Sequence, residues 1–290
     1  MNASPRRSDS TNAQNWHSAT RPACVGARQR LLSGKHDPFL VACWERVVFL
    51  HYLIRPELLR PHVPAQFVLD LYDNMACISV VAVTMRNFRA SRSISTGWLF
   101  RPVRCERFLN LRACVHLREE HGAFILWSWL SNPLRATLPL MKLGFPCTFA
   151  EVEYDHRFET GKLQGSVKMK NSSGDALEYR GSLDSLHGFE PCRAGSLAEF
   201  AMERYTGFFS RGSRLRLVRC WHPPWMQRPM QASIADDNLI TNRFAWFGEA
   251  RLVAANVGPG FPDVWIGRPH ELNSNSHDRH PVLSAFYEMP

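Results

Sequence analysis

Hydrophobic and polar residues alternate through the middle of this 290-residue chain, in runs separated by turn-forming residues. The run QFVLDLYDNMACISVVAVTM alternates on both sides of Asp73 and Asn74, whose side chains tolerate the positive φ of a tight turn. LNLRACVHLREEHGAFILWSWLS repeats the pattern around EEHG, and three more strands are predicted within residues 149–183. Successive hairpins of this kind favour a large antiparallel sheet or barrel.

Three segments are predicted to be helical. RPELLRPHVP favours a single turn that begins at Pro56. NPLRATLPLMKL, residues 132–143, predicts a short helix interrupted by proline. GSLAEFAMERYTGFF, residues 195–209, has a capping box of Ser196 and Glu199 before apolar residues at helical spacing. The fold class is therefore α+β, with a dominant sheet and helices packed on its ends or on one face.

The ends of the chain differ from its middle in composition. Residues 1–37 are rich in Ser, Asn, Arg and Gly, and their apolar surface is too small to offset the entropy of ordering. We expect a disordered basic tail over 1–37, one domain over 38–268 and a C-terminal tail over 269–290. With 45% hydrophobic and 11% aromatic residues, the chain can fill the core of such a domain.

The sequence pattern indicates a cytoplasmic protein. PRRS near the N-terminus is not followed by the apolar segment of an export signal. The apolar stretch FLVACWERVVFLHYLI is interrupted by Glu45 and Arg46, so it does not reach the roughly 18 residues of a membrane span. We therefore expect neither export nor a membrane partner.

The net charge of +9 is concentrated in two segments. Residues 1–37 contain six Lys or Arg against two Asp, and residues 86–112 contain seven Arg against Glu106. Neither segment resembles a helix-turn-helix, a zinc finger or an RNA-binding signature, and basic tails and loops are commonly solvated surface. We expect no specific nucleic-acid partner.

Cysteine and histidine spacing indicates neither a disulfide framework nor a metal site. The eight cysteines include no C-x-x-C pair, and the twelve histidines include no H-E-x-x-H motif. His116 and His121 flank the predicted turn in HLREEH, a spacing that does not by itself define a metal site. We predict no metal and no cofactor.

Four motifs occur in an order that resembles a known family. They are CWERVVFLHYLIRPELLRPHVPAQFVLDLYDNMACISVVAVTM, then NLRACVH, GSLAEFAMERYTGFF and HPPW. Over roughly residues 40–255 the chain resembles the YqjF-like family, domain of unknown function 2071, of the acetoacetate-decarboxylase-like superfamily. The resemblance implies a dominant antiparallel β-sheet closed into a distorted barrel, with a few peripheral helices and a central ligand cavity.

The lysines of the decarboxylases are replaced in this sequence. In those enzymes a Gly-aromatic-Pro corner precedes two adjacent lysines, the first of which forms a Schiff base with the β-keto acid. Here GFP, residues 144–146, is followed by Cys147 and Thr148, and neither side chain can form a Schiff base. Lys142 lies before the corner and stands alone. We therefore predict that acetoacetate decarboxylase activity is absent.

Two further positions near these motifs bear on the chemistry of the cavity. Members of the superfamily tend to carry a glutamate shortly before the strand that corresponds to NLRACVH. Here that place holds Phe108, with Glu106 two residues earlier, so we expect the cavity to lack this acid. Cys147 has no identifiable histidine partner that would make it a nucleophile, and we interpret it as a residue that fills space behind the turn.

The candidate ligand-binding residues are polar and aromatic residues of the resemblance motifs without a clear packing role. They are His51, Arg89, Asn110, Arg112, Glu203, Tyr205, His222 and Trp225. Arg204 lies between two of them on the predicted helix. Structural alternatives stay open: Arg112 as a solvated residue, Glu203 as the partner of a nearby arginine, and Trp225 packed on the core at the HPPW break.

Arg89 and Arg112 are expected to reach one end of a shared pocket, where guanidinium groups and aromatic walls suit a small carboxylate. The sequence therefore predicts a protein that binds a small organic metabolite. The alternative is a lyase or hydrolase that uses His or Glu as general acid–base in the same cavity. A His–Glu pair in the pocket would favour the enzyme, and an apolar pocket with only arginines would favour binding. The sequence leaves the ligand and the oligomeric state open.

Overall fold

The computed structural model describes residues 22–34, 37–91, 105–132, 144–170, 172, 174–184 and 188–272. The strands are β1 (Leu40–Ile54), β2 (Val68–Leu69), β3 (Leu71–Tyr72), β4 (Met75–Ala90), β5 (Cys105–Leu117), β6 (Glu120–Leu130), β7 (Thr148–Phe149), β8 (Glu151–Arg157), β9 (Lys162–Lys168), β10 (Ala176–Ser182), β11 (Glu190–Pro191), β12 (Thr206–Arg211), β13 (Arg214–Trp221), β14 (Met226–Pro229), β15 (Gln231–Asp236), β16 (Arg251–Ile266) and β17 (His270–Glu271). The helices are α1 (Pro22–Leu32), α2 (Pro56–Leu59), α3 (Leu197–Met202) and α4 (Asn238–Thr241), with 3₁₀ turns at Arg60–His62 and Ala245–Glu249.

Seven strands form a closed ring of hydrogen-bonded neighbours. Their order is β16, β1, β4, β5, β6, β12 and β13, and the ring closes where β13 pairs with β16. Every pairing in the ring is antiparallel except that of β6 with β12. The expected α+β fold, with a dominant antiparallel sheet and few helices, is confirmed.

A second sheet packs on the outside of the ring. Its order is β15, β10, β9 and β8, and it contains the three strands predicted within residues 149–183. Leu109 and Leu111 of β5 belong to the same core cluster as Leu163 and Leu177 of this sheet. Ring strands covered on both faces need apolar residues at nearly every position. This double coverage accounts for the long apolar runs in the sequence.

The turn residues set the hairpins that the sequence predicts. Asp73 and Asn74 have φ of 49° and 62°, and Leu71 pairs with Ala76 across them. The hairpin of β5 and β6 turns one residue earlier than the predicted EEHG, at Arg118 and Glu119 between the two strands. The positive φ of both Asp73 and Asn74 matches the twist of a two-residue hairpin, and this turn fixes the register of β3 and β4.

The predicted helix over 195–209 is wrong beyond Met202. Ser196 Oγ accepts a hydrogen bond from Glu199 N, so the predicted cap is present, but α3 ends after six residues. Strand β12 follows, and its whole length pairs with β13. Phe208 and Phe209 are both fully buried, which a strand covered on two faces allows. The predicted helix over 132–143 lies almost wholly outside the described residues.

The prediction of a disordered tail up to residue 37 is wrong for residues 22–32, which form α1. Cys24 and Ala27 are buried against Tyr205, and Leu31 packs against Gly267 just after β16. These partners lie far along the chain, so the segment's own composition does not reveal them. At the other end, β17 pairs with β13, so ordered structure continues past the boundary expected at 268. None of the helices in the described ranges is long and apolar enough to cross a membrane.

Replacing Leu31 with Ala tests whether α1 is docked on the ring. Leu31 is fully buried, so Leu31→Ala should lower the free energy of unfolding by about 2–5 kcal/mol in urea denaturation. Leu32, whose exposed fraction is 44%, is the matched control, and Leu32→Ala should change stability by less than about 0.5 kcal/mol. Equal small effects of both substitutions would show that α1 does not pack against the ring.

Candidate functional site

A cavity of about 180 Å³ lies inside the ring. Each of the seven ring strands contributes at least one residue to its wall. The wall is mainly apolar, with Val47, Phe49, Val81, Val83, Val218 and Ile266 among its residues. At about 30 Å³ for each water molecule in the liquid, the cavity has room for about six waters, the size of a small metabolite.

The alternation of strand side chains places the polar groups of the cavity. Phe108, Asn110 and Arg112 occupy every second position of β5 and line the cavity, while Leu109 and Leu111 face the outer core. On β13, Cys220 lines the cavity, and His222 continues the same alternation just beyond the strand end. Asn110 and Arg112 therefore lie in the middle of β5.

Arg112 is a half-buried cation without a carboxylate partner in the described part of the chain. Its Nη2 donates to the carbonyl oxygen of Ala201 at 3.0 Å, and its guanidinium carbon lies 5.7 Å from the ring centre of Phe49. Its Nε has no hydrogen-bond partner among the described residues. Burial lowers the pKa of Arg112, because a low-dielectric environment disfavours the charged form.

Arg204 supplies a second guanidinium to the cavity wall, and this one is paired. Its Nη1 donates to Asp70 Oδ2, and its Nε donates to the carbonyl oxygen of Phe200 at 2.6 Å. Both side chains of the ion pair are about 5% exposed. Burial by itself raises the pKa of Asp70, but the charge of Arg204 and its hydrogen bonds lower it overall.

The charges around the cavity do not balance within the described wall. Its residues include Arg112 and Arg204 but no Asp, Glu or Lys. A hydrogen bond with Cys77 and the charges of Arg204 and Arg112 lower the pKa of the Cys114 thiol to about 6. Asp70 pairs with Arg204, Arg112 has no carboxylate partner among the described residues, and neither Asp70 nor Cys114 is a wall residue.

His222 and Trp225 form an aromatic wall at the break between β13 and β14. Their ring centres are 5.0 Å apart, and Trp225 is 4.5 Å from the ring of Phe261. His222 Nδ1 donates to the carbonyl oxygen of Pro223 at 2.7 Å, which leaves a lone pair on Nε2. Burial lowers the pKa of His222 to about 4, so the ring is neutral at pH 7. Both the cavity role and the core-packing alternative for Trp225 hold, because it is 2% exposed and lines the cavity.

Glu203 and Tyr205 support the wall from behind and are not among the described residues that line it. Glu203 Oε1 accepts from Trp225 N at 2.9 Å, and Oε2 accepts from the Tyr205 hydroxyl at 2.5 Å. Burial and the Glu203 charge raise the pKa of Tyr205. The two residues lie between α3 and β12, where they hold the HPPW segment in place.

His51 and Arg89 lie away from the cavity wall. His51 Nδ1 lies 3.0 Å from Ser79 Oγ, and its ring stacks on Phe49, whose own ring does face the cavity. Arg89 forms an ion pair with Asp263 on the surface and is not among the described residues of the cavity wall, so it does not share this cavity with Arg112. Arg204, not Arg89, is the second cavity guanidinium.

The acid and the corner that the sequence singled out lie beside the cavity. Phe108 lines it, whereas Glu106 Oε1 accepts hydrogen bonds from the backbone nitrogens of Ser131 and Asn132. Phe145 of the GFP corner reaches the wall, and Cys147 does not. Burial and the charge of Glu106 raise the pKa of the Cys147 thiol, which opposes a nucleophilic role. Lys142 lies outside the described residues.

Sequence reasoning did not identify Asp70 or Phe145. A usable signal for Asp70 was an acidic residue within the apolar alternation of VLDLY, because an acid there needs a buried partner. Asn110 lines the cavity, and its Nδ2 donates to Ser128 Oγ at 3.0 Å.

A family model and several solved structures resemble the chain. The model DUF2071, described as an uncharacterized conserved protein, matches residues 41–251. No curated protein matches the chain at a significant level. The enduracididine biosynthesis enzyme MppR complexed with pyruvate is 14% identical, with a TM-score of 0.58 over 82% of this chain and 91% of that one.

Two further structures share the fold. An acetoacetate decarboxylase-like enzyme from Sphingomonas wittichii RW1 is 14% identical, with a TM-score of 0.54 over 82% of this chain and 94% of that chain. Acetoacetate decarboxylase from Legionella pneumophila is 13% identical, with a TM-score of 0.55 over 81% and 87%. At these identities the likeness shows the fold, which is acetoacetate-decarboxylase-like. MppR holds small molecules in this fold, since its structures contain pyruvate or HEPES.

The buried histidines predict how stability depends on pH. Burial lowers the pKa of His51 to about 3 and those of His156 and His222 to about 4, from 6.5. Below about pH 6.5 the unfolded chain therefore binds protons that the native state resists. The free energy of unfolding should fall from pH 7 to pH 5, by about 1–2 kcal/mol for each histidine. Urea denaturation at pH 7 and at pH 5 measures this difference in the free energy of unfolding.

The matched variants are His222→Gln and His62→Gln. His222→Gln removes one of the buried groups, so the difference between pH 7 and pH 5 should shrink. His62 is exposed, and its substitution should leave the pH dependence unchanged. A free energy of unfolding that is equal at pH 7 and pH 5 in the parent chain would contradict the burial of neutral histidines.

Proposed function

The chain belongs to the DUF2071 family, and we propose that it binds a small organic carboxylate in the cavity inside the ring, with Arg112 as the anion-binding group. The observation that carries this proposal is the guanidinium of Arg112 on an otherwise mainly apolar wall, with no carboxylate partner in the described chain. A buried cation is costly unless it is paired. A ligand carboxylate would accept two parallel hydrogen bonds from the guanidinium and supply the missing charge.

The remaining wall limits the size and shape of the ligand. The volume of about 180 Å³ is below the roughly 300 Å³ at which pockets for drug-sized ligands begin, so the ligand has only a few carbon atoms. Val81, Val83 and Phe49 offer an apolar surface to its hydrocarbon part. The free lone pair of His222 Nε2 and the Oδ1 of Asn110 are acceptors suited to a ligand hydroxyl. The pyruvate in the MppR structure is a ligand of this class in the same fold.

The wall favours binding over the two catalytic alternatives. Schiff-base chemistry needs a lysine, and the described wall has none, while Cys147 and Thr148 follow the corner that precedes the lysines of the decarboxylases. Acid–base chemistry by a His–Glu pair needs a carboxylate near His222. Glu203 instead accepts from Trp225 N and the Tyr205 hydroxyl, behind the wall.

Substitution of Arg112 by Lys tests the proposed anion contact. A panel of small carboxylates, with pyruvate first, should raise the melting temperature, because a ligand that binds the native state stabilises it by about 2.7 kcal/mol at 100 times its Kd. Arg112→Lys keeps the charge but loses the planar fork, so Kd should rise at least about tenfold, or about 1.4 kcal/mol. Calorimetric titration measures Kd directly.

Arg89→Lys is the control for that experiment, because Arg89 contacts Asp263 on the surface. Its Kd should equal that of the parent chain. The proposal is overturned if no carboxylate binds, or if a carboxylate binds the parent chain and Arg112→Lys with the same Kd. The uncharged amide of a binding acid is a second control, and it should bind at least tenfold more weakly.

Borohydride reduction tests the absence of Schiff-base chemistry. Incubation with acetoacetate and then borohydride should leave the mass of the intact protein unchanged, because the described wall contains no amine. Mass spectrometry of the whole chain and of its peptides measures this outcome. A reduced adduct on Lys142 would contradict it and would restore the decarboxylase mechanism.

A further inference from the structure

Three potential metal ligands meet on the hairpin of β5 and β6, behind the cavity wall. His116 and His121 are directly opposed in the register of the two strands. Asp70 follows β2, whose pairing with β5 joins Val68 to His116. One ligand atom from each of the three side chains lies within 4.8 Å of the other two. The spacing in HLREEH pointed only to the histidine pair, and the fold adds the carboxylate.

We propose that Asp70, His116 and His121 form a binding site for a divalent transition-metal ion such as Zn²⁺. Two imidazoles and a carboxylate suit Zn²⁺, Ni²⁺ or Cu²⁺ rather than Mg²⁺ or Ca²⁺, which prefer all-oxygen sites. Three protein ligands leave a fourth tetrahedral position for water. This proposal is independent of the carboxylate proposed for the cavity, and it reverses the expectation of no metal.

The contacts among the three side chains join the two imidazoles to the two oxygens of the Asp70 carboxylate. His116 Nδ1 lies 2.5 Å from Asp70 Oδ1, and His121 Nδ1 lies 2.9 Å from Asp70 Oδ2. Without a metal, each imidazole donates Nδ1–H to the carboxylate. With a metal, the protons sit on the Nε2 atoms, and the Nδ1 lone pairs face the ion. With metal bonds of about 2.0–2.2 Å, an ion would lie between ligand atoms that are already within 4.8 Å of one another.

The backbone holds the ligands in place before a metal arrives. His116 and His121 lie on paired strands, and Asp70 N donates to the carbonyl oxygen of Cys114 on β5. Sites built on strands hold their geometry better than sites on loops. Arg204 donates to Asp70 Oδ2 from behind and would orient the carboxylate, as hydrogen-bonded partners of metal ligands do.

The site is also open to solvent on one side. The side chain of His121 is 62% exposed and that of His116 is 28% exposed, whereas Asp70 is buried. A metal ion can therefore reach the three ligand atoms from water without opening the ring. The competing interpretation is a cluster of hydrogen bonds that only neutralises Asp70. Both interpretations predict the same structure in the absence of metal. Only the first predicts that Zn²⁺ binds.

Titration of the full chain without a histidine tag decides between them. Calorimetry should show one Zn²⁺ bound through this site, and Mg²⁺ should not bind. His121→Ala should weaken Zn²⁺ binding at least about 10–100-fold, the cost reported for losing even an outer partner of a metal ligand. The exposure of His121 makes this substitution compatible with folding, which circular dichroism checks. His62→Ala, also at an exposed histidine, should leave the affinity unchanged.

Co²⁺ provides a second readout that reports the ligands themselves. Bound in place of Zn²⁺, it should give visible absorption bands of a low-coordinate site with nitrogen ligands, and His121→Ala and His116→Ala should each remove them. The proposal is overturned if the parent chain binds no Zn²⁺, or if Zn²⁺ binds His121→Ala as tightly as the parent chain.

Discussion

The closure of the ring between β13 and β16 is the constraint on which the rest of the structure depends. Cys220 and Trp221 pair with Ile266 and Trp265, and these few contacts turn a curved sheet into an enclosure. A closed sheet has no unpaired edge at this point, and its inner face must be filled by side chains or by a ligand. Helix α1 packs over the same seam, where Arg28 lies 5.5 Å from the ring centre of Trp221 and 5.3 Å from that of Trp265.

Enclosure gives the charges of the cavity their importance. In water, two arginines and one aspartate would be unremarkable, but inside the ring the lower dielectric raises the cost of an unbalanced cation. Asp70 neutralises Arg204, and Arg112 points its charge at an apolar space of about 180 Å³. The charge of Arg112 also contributes to keeping His51 and His222 neutral. The proposed anionic ligand would complete this arrangement, and the position of Arg112 would determine where its carboxylate lies.

The sequence correctly predicted a turn and a helix cap that depend on residues close together in the chain. The turn at Asp73 and Asn74 and the cap at Ser196 depend on residues a few positions apart, and both formed as predicted. The strand that replaces the end of the predicted helix over 195–209 depends on pairing with β13, which outweighs helical spacing. Helix α1 has a similar cause, because its buried side is defined by distant strands and not by a strong apolar face of its own.

The candidate site shows the same division. Asn110 and Arg112 of NLRACVH, and His222 and Trp225 of HPPW, which the motifs singled out, line the cavity. Arg89 was misassigned because its ion-pair partner, Asp263, is 174 residues away along the chain. The ion-pair partner of Arg204, Asp70, is likewise 134 residues away. Sequence spacing along one strand can predict which face a residue occupies. It cannot predict which distant charge a guanidinium meets, and that pairing decides which arginine is available to a ligand.

The most direct test of this account is a crystal structure of the chain grown with a small carboxylate at saturating concentration. The account predicts electron density for the ligand inside the ring, with both carboxylate oxygens within hydrogen-bond distance of the Arg112 guanidinium and the hydrocarbon part against Val81 and Val83. A ligand bound only outside the ring, or a cavity that contains only water beside Arg112 at that concentration, would contradict the central claim.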